Sequence, residues 1–257
     1  RMSTAQPSLD ILLRGLKLPS FVGAHEELAR KAEKDGWGCL QYLRHLVELE
    51  LEERRQRRIE RLQRASDLPS EKTLATLESS KLPPKVRRQR PALCEGGFVG
   101  RAENVLAFGL PGRGKTHLVA AIGHELVQRG YAVLFVPAYK LVQRLLAAKR
   151  DLALERELRR LDAFDTVILD DLGYVQQSRE EMEVLFTFLA ERYERRSVMI
   201  TSNLVFSQWD QIFKDPMTTA AAIDRLVHHA TILEMNGRSV RADDAEERAK
   251  SEGEPRR

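Results

Sequence analysis

A chain of 257 residues, 42% hydrophobic and 31% charged, can bury a real core and hold one full domain beside a smaller one. Its longest apolar runs, such as residues 132–137, fall far short of the ~20 residues that cross a bilayer, and no charged-then-apolar leader opens it, so the expected place is the cytoplasm, with no membrane partner. The net charge of +4 is unevenly spread: residues 1–90 carry 19 Lys+Arg against 13 Asp+Glu, and a surplus of this kind favours a polyanionic partner.

In chain order, residues 9–16 and 24–32 read as short helices separated by Pro19 and Gly23. From Leu40 to Arg64, the steps Leu40, Leu43, Val47, Leu51 and then Ile59 and Leu62 predict one long charged helix. Residues 66–97, with Pro69, Pro83, Pro84 and Pro91, read as a linker. From Asn104 the pattern changes to β-rich apolar runs at 104–109, 132–137, 166–170, 197–202 and 231–235, alternating with helices at 116–129, 140–161, 179–195 and 220–229. That alternation predicts an α/β fold with a parallel sheet sandwiched by helices. The organisation is then a helical N-terminal domain at 1–65, a linker at 66–97, a core domain at 98–241 and a disordered tail at 242–257, where apolar residues run out.

Gly109-Leu110-Pro111-Gly112-Arg113-Gly114-Lys115-Thr116 fits GxxxxGK[ST] and lies between an apolar strand and a periodic helix. Glycines there let backbone N–H groups wrap phosphates, and the positive end of the helix faces them. Lys115 is expected to reach the β- and γ-phosphates, Thr116 to offer its hydroxyl to Mg²⁺, and Arg113 to face solvent. ATP with Mg²⁺ is therefore the cofactor that the motif itself implies.

Thr166 to Asp171 is an apolar strand ending in two acids. Asp170 is the metal-side acid and Asp171 the candidate for polarising the attacking water. A further strand ends at Asn203, whose amide is placed to orient water near the γ-phosphate. Arg225 lies on a later helix beside Asp224, where spacing alone leaves a surface ion pair as the ordinary reading. Cys39 and Cys94 have no CxxC spacing, and His117 and His124 have no third ligand partner, so neither pair suggests a zinc site. Trp37, Trp209 and Phe213 read as packing anchors, and Phe98 as a neighbour of the adenine.

The ordered motifs GLPGRGKTH, VILDDLG, ITSN and IDRL resemble those of AAA+ ATPases, and in detail the chain resembles the IstB-like transposition helper ATPases of IS21-family insertion sequences, which are similar to the DnaC helicase loader. The resemblance extends from a short LKLPSF segment to Arg241. It implies an ATPase that oligomerises on double-stranded DNA, holds ATP between subunits and assists a cognate transposase in target selection and insertion. By the same resemblance Lys115 and Asp171 are catalytic, Asn203 is the sensor-1 residue, Arg225 an arginine finger for the neighbouring subunit, and Arg241 a sensor-2 residue. One departure is Asp171, where many AAA+ proteins have the longer Glu; slow, assembly-dependent hydrolysis would follow.

Candidate DNA contacts are Lys140, Arg144, Lys149 and Arg150 on the helix after the second strand, and Arg54, Arg55 and Arg58 on the long N-terminal helix, although intrahelical pairs with Glu50, Glu53 and Glu60 account equally for the second set. A helicase loader is the nearest alternative, followed by a P-loop small-molecule kinase, which would need a basic lid over the phosphates, and a nucleotide-dependent scaffold with negligible turnover.

Overall fold

The computed structural model describes residues 8–174, 178–209, 211 and 215–235; the expected tail at 242–257, Arg241 and Phe213 lie outside them. The chain divides into two compact units, Arg1–Arg61 and Leu62–Arg257.

The first unit is helical: α1 (Leu9–Gly15), α2 (Pro19–Asp35) and most of α3 (Cys39–Ala65). Pro19 and Gly23 do not separate helices. Pro19 occupies the first turn of α2, where its missing N–H costs nothing, and Gly23 lies inside the helix. Gly36, with φ 66°, closes α2 in the left-handed conformation that glycine adopts cheaply. Leu13, Phe21 and Leu46 form the small core. The periodic face of α3 points the other way: Leu40, Leu43, Val47 and Leu51 are exposed, while the helix buries Leu46, Glu50 and Ile59.

In the second unit α4 (Pro84–Glu95) and α5 (Gly97–Gly100) precede the alternating core of β1 (Asn104–Phe108), α6 (Lys115–Gln128), β2 (Val133–Pro137), α7 (Ala138–Arg150), α8 (Leu154–Asp162), β3 (Thr166–Asp170), α9 (Arg179–Arg192), β4 (Ser197–Ser202), α10 (Pro216–Val227) and β5 (Ala230–Glu234). The five strands are parallel in the order β2-β3-β4-β1-β5. Helices cover the sheet and bury Leu118, Ile122, Leu126, Leu141, Leu145 and Phe188 completely, each worth about 1.5–3 kcal/mol of apolar burial.

Two expectations for this second unit change. The single helix expected at 140–161 is two, α7 and α8, broken where Leu152 adopts φ 54°. α8 restarts with Glu155 and Glu157 in its first turn and ends with Arg159 and Arg160, matching the helix dipole at both ends. Residues 66–97, read as a linker, are packed structure: Leu68, Leu77, Leu82, Val86 and Leu93 are buried. Two of their prolines start a helix, with Pro83 as its cap and Pro84 in its first turn, and Pro91 lies inside it. Phe135 donates its N–H to the Ser66 carbonyl at 2.7 Å. His117 and His124 hold the same stretch onto α6, through the carbonyls of Thr73 (3.1 Å) and Pro69 (3.0 Å).

Arg192 joins α9 to the amino-terminal edge of the sheet. Only 3% exposed, it donates to the carbonyls of Ser197 (2.9 Å), Leu161 (3.1 Å), Phe164 (3.0 Å) and Asp165 (3.3 Å). Burial pushes its pKa down to about 10, which leaves it charged at neutral pH. Arg192→Met is expected to strand several of these acceptors and cost about 2–3 kcal/mol, lowering the melting temperature by roughly 5–10 °C. An unchanged melting temperature would show that water or repacking satisfies them instead.

Candidate functional site

The carboxyl ends of β1, β3 and β4 bring the motif residues together. β1 runs into the loop Gly109–Gly114, and α6 begins at Lys115 with Gly114 as its cap. Gly112 (φ 77°) and Gly114 (φ 78°) take backbone conformations that a side chain strains. A Cβ on Gly109 would lie 2.7 Å from the Met235 carbonyl oxygen, so the end of β5 leaves no room for one. The loop therefore turns tightly into the first turn of α6, whose N–H groups have no partners within the helix and favour an anion. Lys115, 6% exposed, lies across the loop, and its ammonium donates to the carbonyls of Gly109 (2.6 Å) and Leu110 (3.0 Å). Leu110 is exposed. Arg113 departs from the expectation that it faces solvent: its Nη1 is buried without a hydrogen-bond partner among the described residues.

Asp170 is 8% exposed at the end of β3. Its Oδ1 accepts from the Thr116 hydroxyl at 2.8 Å and from the Thr201 hydroxyl at 2.6 Å. By donating its proton to Asp170, Thr116 keeps its oxygen lone pairs available, and the set of hydroxyl and carboxylate oxygens suits a hard cation such as Mg²⁺. Asp171 is left-handed, φ 58°, a region that Asp tolerates better than most residues. Its N–H donates to Thr201 Oγ1 at 2.8 Å. Sequence reasoning misses Thr201; its signal is a hydroxyl at the end of an otherwise apolar strand, two residues before Asn203.

Asn203 follows β4, and its Oδ1 is buried without a partner among the described residues. It lies against Gly173, where a Cβ would meet Oδ1 at 1.9 Å. The bare Gly173 backbone is thus what lets Asn203 occupy this place, close behind the two acids in sequence and at the end of the neighbouring strand. Phosphate loop, Asp170, Asp171 and Asn203 share the carboxyl edge of the sheet.

Arg225 does not join them. It sits in the last turn of α10, which runs back toward the amino-terminal edge, where β5 starts and His229 O accepts the N–H of Asn104 at 2.8 Å. Instead of the expected pair with Asp224, its guanidinium stacks on Phe186, 4.6 Å from the ring centroid, and Nη1 is buried with no hydrogen-bond partner among the described residues. Phe98 is also remote from the loop: it is buried, and its carbonyl accepts from Ser197 Oγ, at the first residue of β4. Trp209 is fully buried, donates to the Leu204 carbonyl and meets Phe108 edge-on, anchoring the segment after Asn203.

The basic residues are less free than their charge suggests. On α7, Arg144 pairs with Glu157 and Lys149 with Glu183, while Lys140 and Arg150 are exposed. On α3, Arg54 bonds Glu50 (2.6 Å) and the Lys17 carbonyl (2.7 Å), and Arg55 pairs with Glu52 (3.3 Å); Arg58 also has a partner. Among the described residues no helix is long and apolar enough to cross a membrane.

Known proteins that this chain resembles are ATP-binding proteins of insertion sequences. An insertion-sequence ATP-binding protein of Sinorhizobium fredii is 44% identical over 248 residues, covering 96% of this chain and 83% of that one. The IS21 ATP-binding protein of Pseudomonas aeruginosa is 37% identical over 233 residues, covering 91% and 88%. Among solved structures, DnaI superposes with a TM-score of 0.55 at 24% identity over 66% of this chain and 95% of its own. The replication initiator DnaA, solved with AMPPCP and single-stranded DNA, does so with a TM-score of 0.58 at 18% identity over 75% and 58%; both likenesses establish the AAA+ fold. The family model of IstB-like ATP-binding proteins matches residues 11–248, and the chain belongs to that family.

Proposed function

We propose that this protein is an ATP-dependent, DNA-binding helper of a transposase, which oligomerises on double-stranded DNA with ATP held between subunits and regulates target selection and insertion. The observation that carries the shared site is the separation within one chain: the phosphate loop lies at the carboxyl edge of the sheet, and Arg225 at the opposite end of α10. A guanidinium so placed is of no use to its own loop and is suited to a neighbour's. Membership of an insertion-sequence family supports the transposase as partner.

In hydrolysis water attacks the γ-phosphorus, the bond to the β,γ-bridging oxygen breaks, and ADP and phosphate leave. Thr116 and Asp170 would hold Mg²⁺, which would supply positive charge at the phosphates. Lys115 turns from the loop carbonyls to the β- and γ-phosphates, Asp171 polarises the attacking water, Asn203 orients it, and Arg225 of the adjoining subunit stabilises charge as the bond breaks. Lys140 and Arg150 are the exposed members of the α7 set for phosphate contact with DNA; such binding reads the backbone and weakens steeply with salt.

The test is turnover with and without duplex DNA, with sizing in ATP. DNA and ATP together are expected to produce a large assembly and faster hydrolysis; equal turnover by a dilute monomer would sink the shared site. Stimulation by a replicative helicase and none by a transposase would favour the loader reading. A second expectation concerns Asn203: Gly173→Ala is predicted to displace its amide, keeping ATP affinity within about twofold while slowing turnover by about tenfold to hundredfold, as ångström-scale misplacement does. Unchanged turnover in that variant would remove Asn203 from the mechanism.

A further inference from the structure

The register of β3 against β4, Leu169 beside Ile200, carries on to set Thr201 beside Asp170. The Thr201 side chain is fully buried and its hydroxyl is used in both directions: it donates to Asp170 Oδ1 at 2.6 Å and accepts the Asp171 N–H at 2.8 Å. One oxygen atom on β4 thus ties down both acids at the end of β3. Two residues later the same strand delivers Asn203.

We infer that Thr201 is a positioning residue for hydrolysis, whose hydroxyl fixes Asp170 for the metal, holds Asp171 in its left-handed conformation for the attacking water, and couples both to Asn203. The inference rests on the ATPase reading above. Its chemistry needs a group that donates and accepts at once. Serine meets that need; valine, of the same shape, does neither. Without the hydroxyl, Asp170 Oδ1 keeps only the bond from Thr116, and the Asp171 N–H loses its acceptor. The left-handed region is uncommon for any residue other than glycine, so that bond is one of the contacts that keep the Asp171 backbone, and with it the start of its side chain, in place.

The experiment compares Thr201→Val, Thr201→Ser and wild type in the full chain with DNA present, reading turnover against ATP and against Mg²⁺, and measuring the affinity of a fluorescent ATP analogue with and without Mg²⁺. Thr201→Val is expected to lower kcat by about tenfold to hundredfold with KM for ATP within about threefold. Its half-saturating Mg²⁺ should rise several-fold, and the gain in analogue affinity that Mg²⁺ confers should shrink. Thr201→Ser should restore all three. Wild-type kcat and Mg²⁺ dependence in Thr201→Val would overturn the inference. So would a loss in Thr201→Val that includes metal-free affinity and melting temperature and that serine leaves unrepaired, since that is the pattern of a merely structural residue. If wild type itself shows no turnover, the ATPase reading fails, while the Mg²⁺-dependent gain in affinity still decides the role of Thr201.

Discussion

Arg225→Ala is expected to bind ATP within about twofold of wild type as an isolated chain, yet to lower turnover of the DNA-bound assembly by about 10³ to 10⁵, the range over which arginine fingers act. The two effects separate because Nη1 of Arg225 has no hydrogen-bond partner in its own subunit among the described residues, and the guanidinium stacks on Phe186. Losing that contact removes about 0.5–1 kcal/mol, too little to unfold the protein. Arg225→Lys should rescue little, since an ammonium lacks the planar fork that stacks on a ring and addresses two phosphate oxygens. A mixing experiment decides whether the finger acts in trans. Arg225→Ala subunits have an intact phosphate loop, and Lys115→Ala subunits an intact finger. In head-to-tail assemblies of an equal mixture, roughly a quarter of the interfaces pair a sound loop with a sound finger. Two inactive variants should therefore recover activity when combined, and a mixture as inactive as its parts would reject the shared site.

Lys115→Ala should instead abolish tight nucleotide binding. Lys115 is nearly buried and its ammonium is held by the two loop carbonyls of Gly109 and Leu110, from which it turns to the phosphates. Hydrogen bonds to charged groups contribute about 1.5–3 kcal/mol each, and contacts to both β- and γ-phosphates predict that the dissociation constant for ATP rises about 10²- to 10⁴-fold. Equilibrium binding with a fluorescent analogue measures this directly. Lys115 is not part of the hydrophobic core of the sheet, so the fold should hold, with the two loop hydrogen bonds as the loss. Retained affinity in Lys115→Ala would mean that the backbone of the loop alone binds the nucleotide.

The elements and the phosphate loop are legible in the amino-acid sequence because they are written locally. Apolar runs bounded by polar residues mark all five strands to within a residue at either end, and the Gly-Lys-Thr loop between a strand and a periodic helix carries its own context. Asp170 and Asp171 are legible for the same reason, as the polar end of an apolar run. Local pattern fails where the outcome depends on what lies opposite. The stripe Leu40, Leu43, Val47 and Leu51 reveals a helix but not which face is covered, and it is the exposed face. Prolines in 66–97 suggest a linker because a proline near a helix start and a proline in a loop look alike in sequence; Leu68 against Gly123 of α6, and the burial of Leu77, Leu82 and Leu93, settle the matter.

What the amino-acid sequence by itself determined is thus the α/β alternation, the triphosphate-binding loop, the two acids and the family they resemble, all features set by runs of neighbouring residues. Only the tertiary structure decided that Thr201 serves both acids, that Gly173 makes room for Asn203, and that Arg225 stands at the far end of its helix from its own loop. Those relations join residues that are 30 or 31 positions apart between β3 and β4, or set the two ends of α10 against opposite edges of the sheet. Strand register and helix direction create them, and no window along the chain contains both partners.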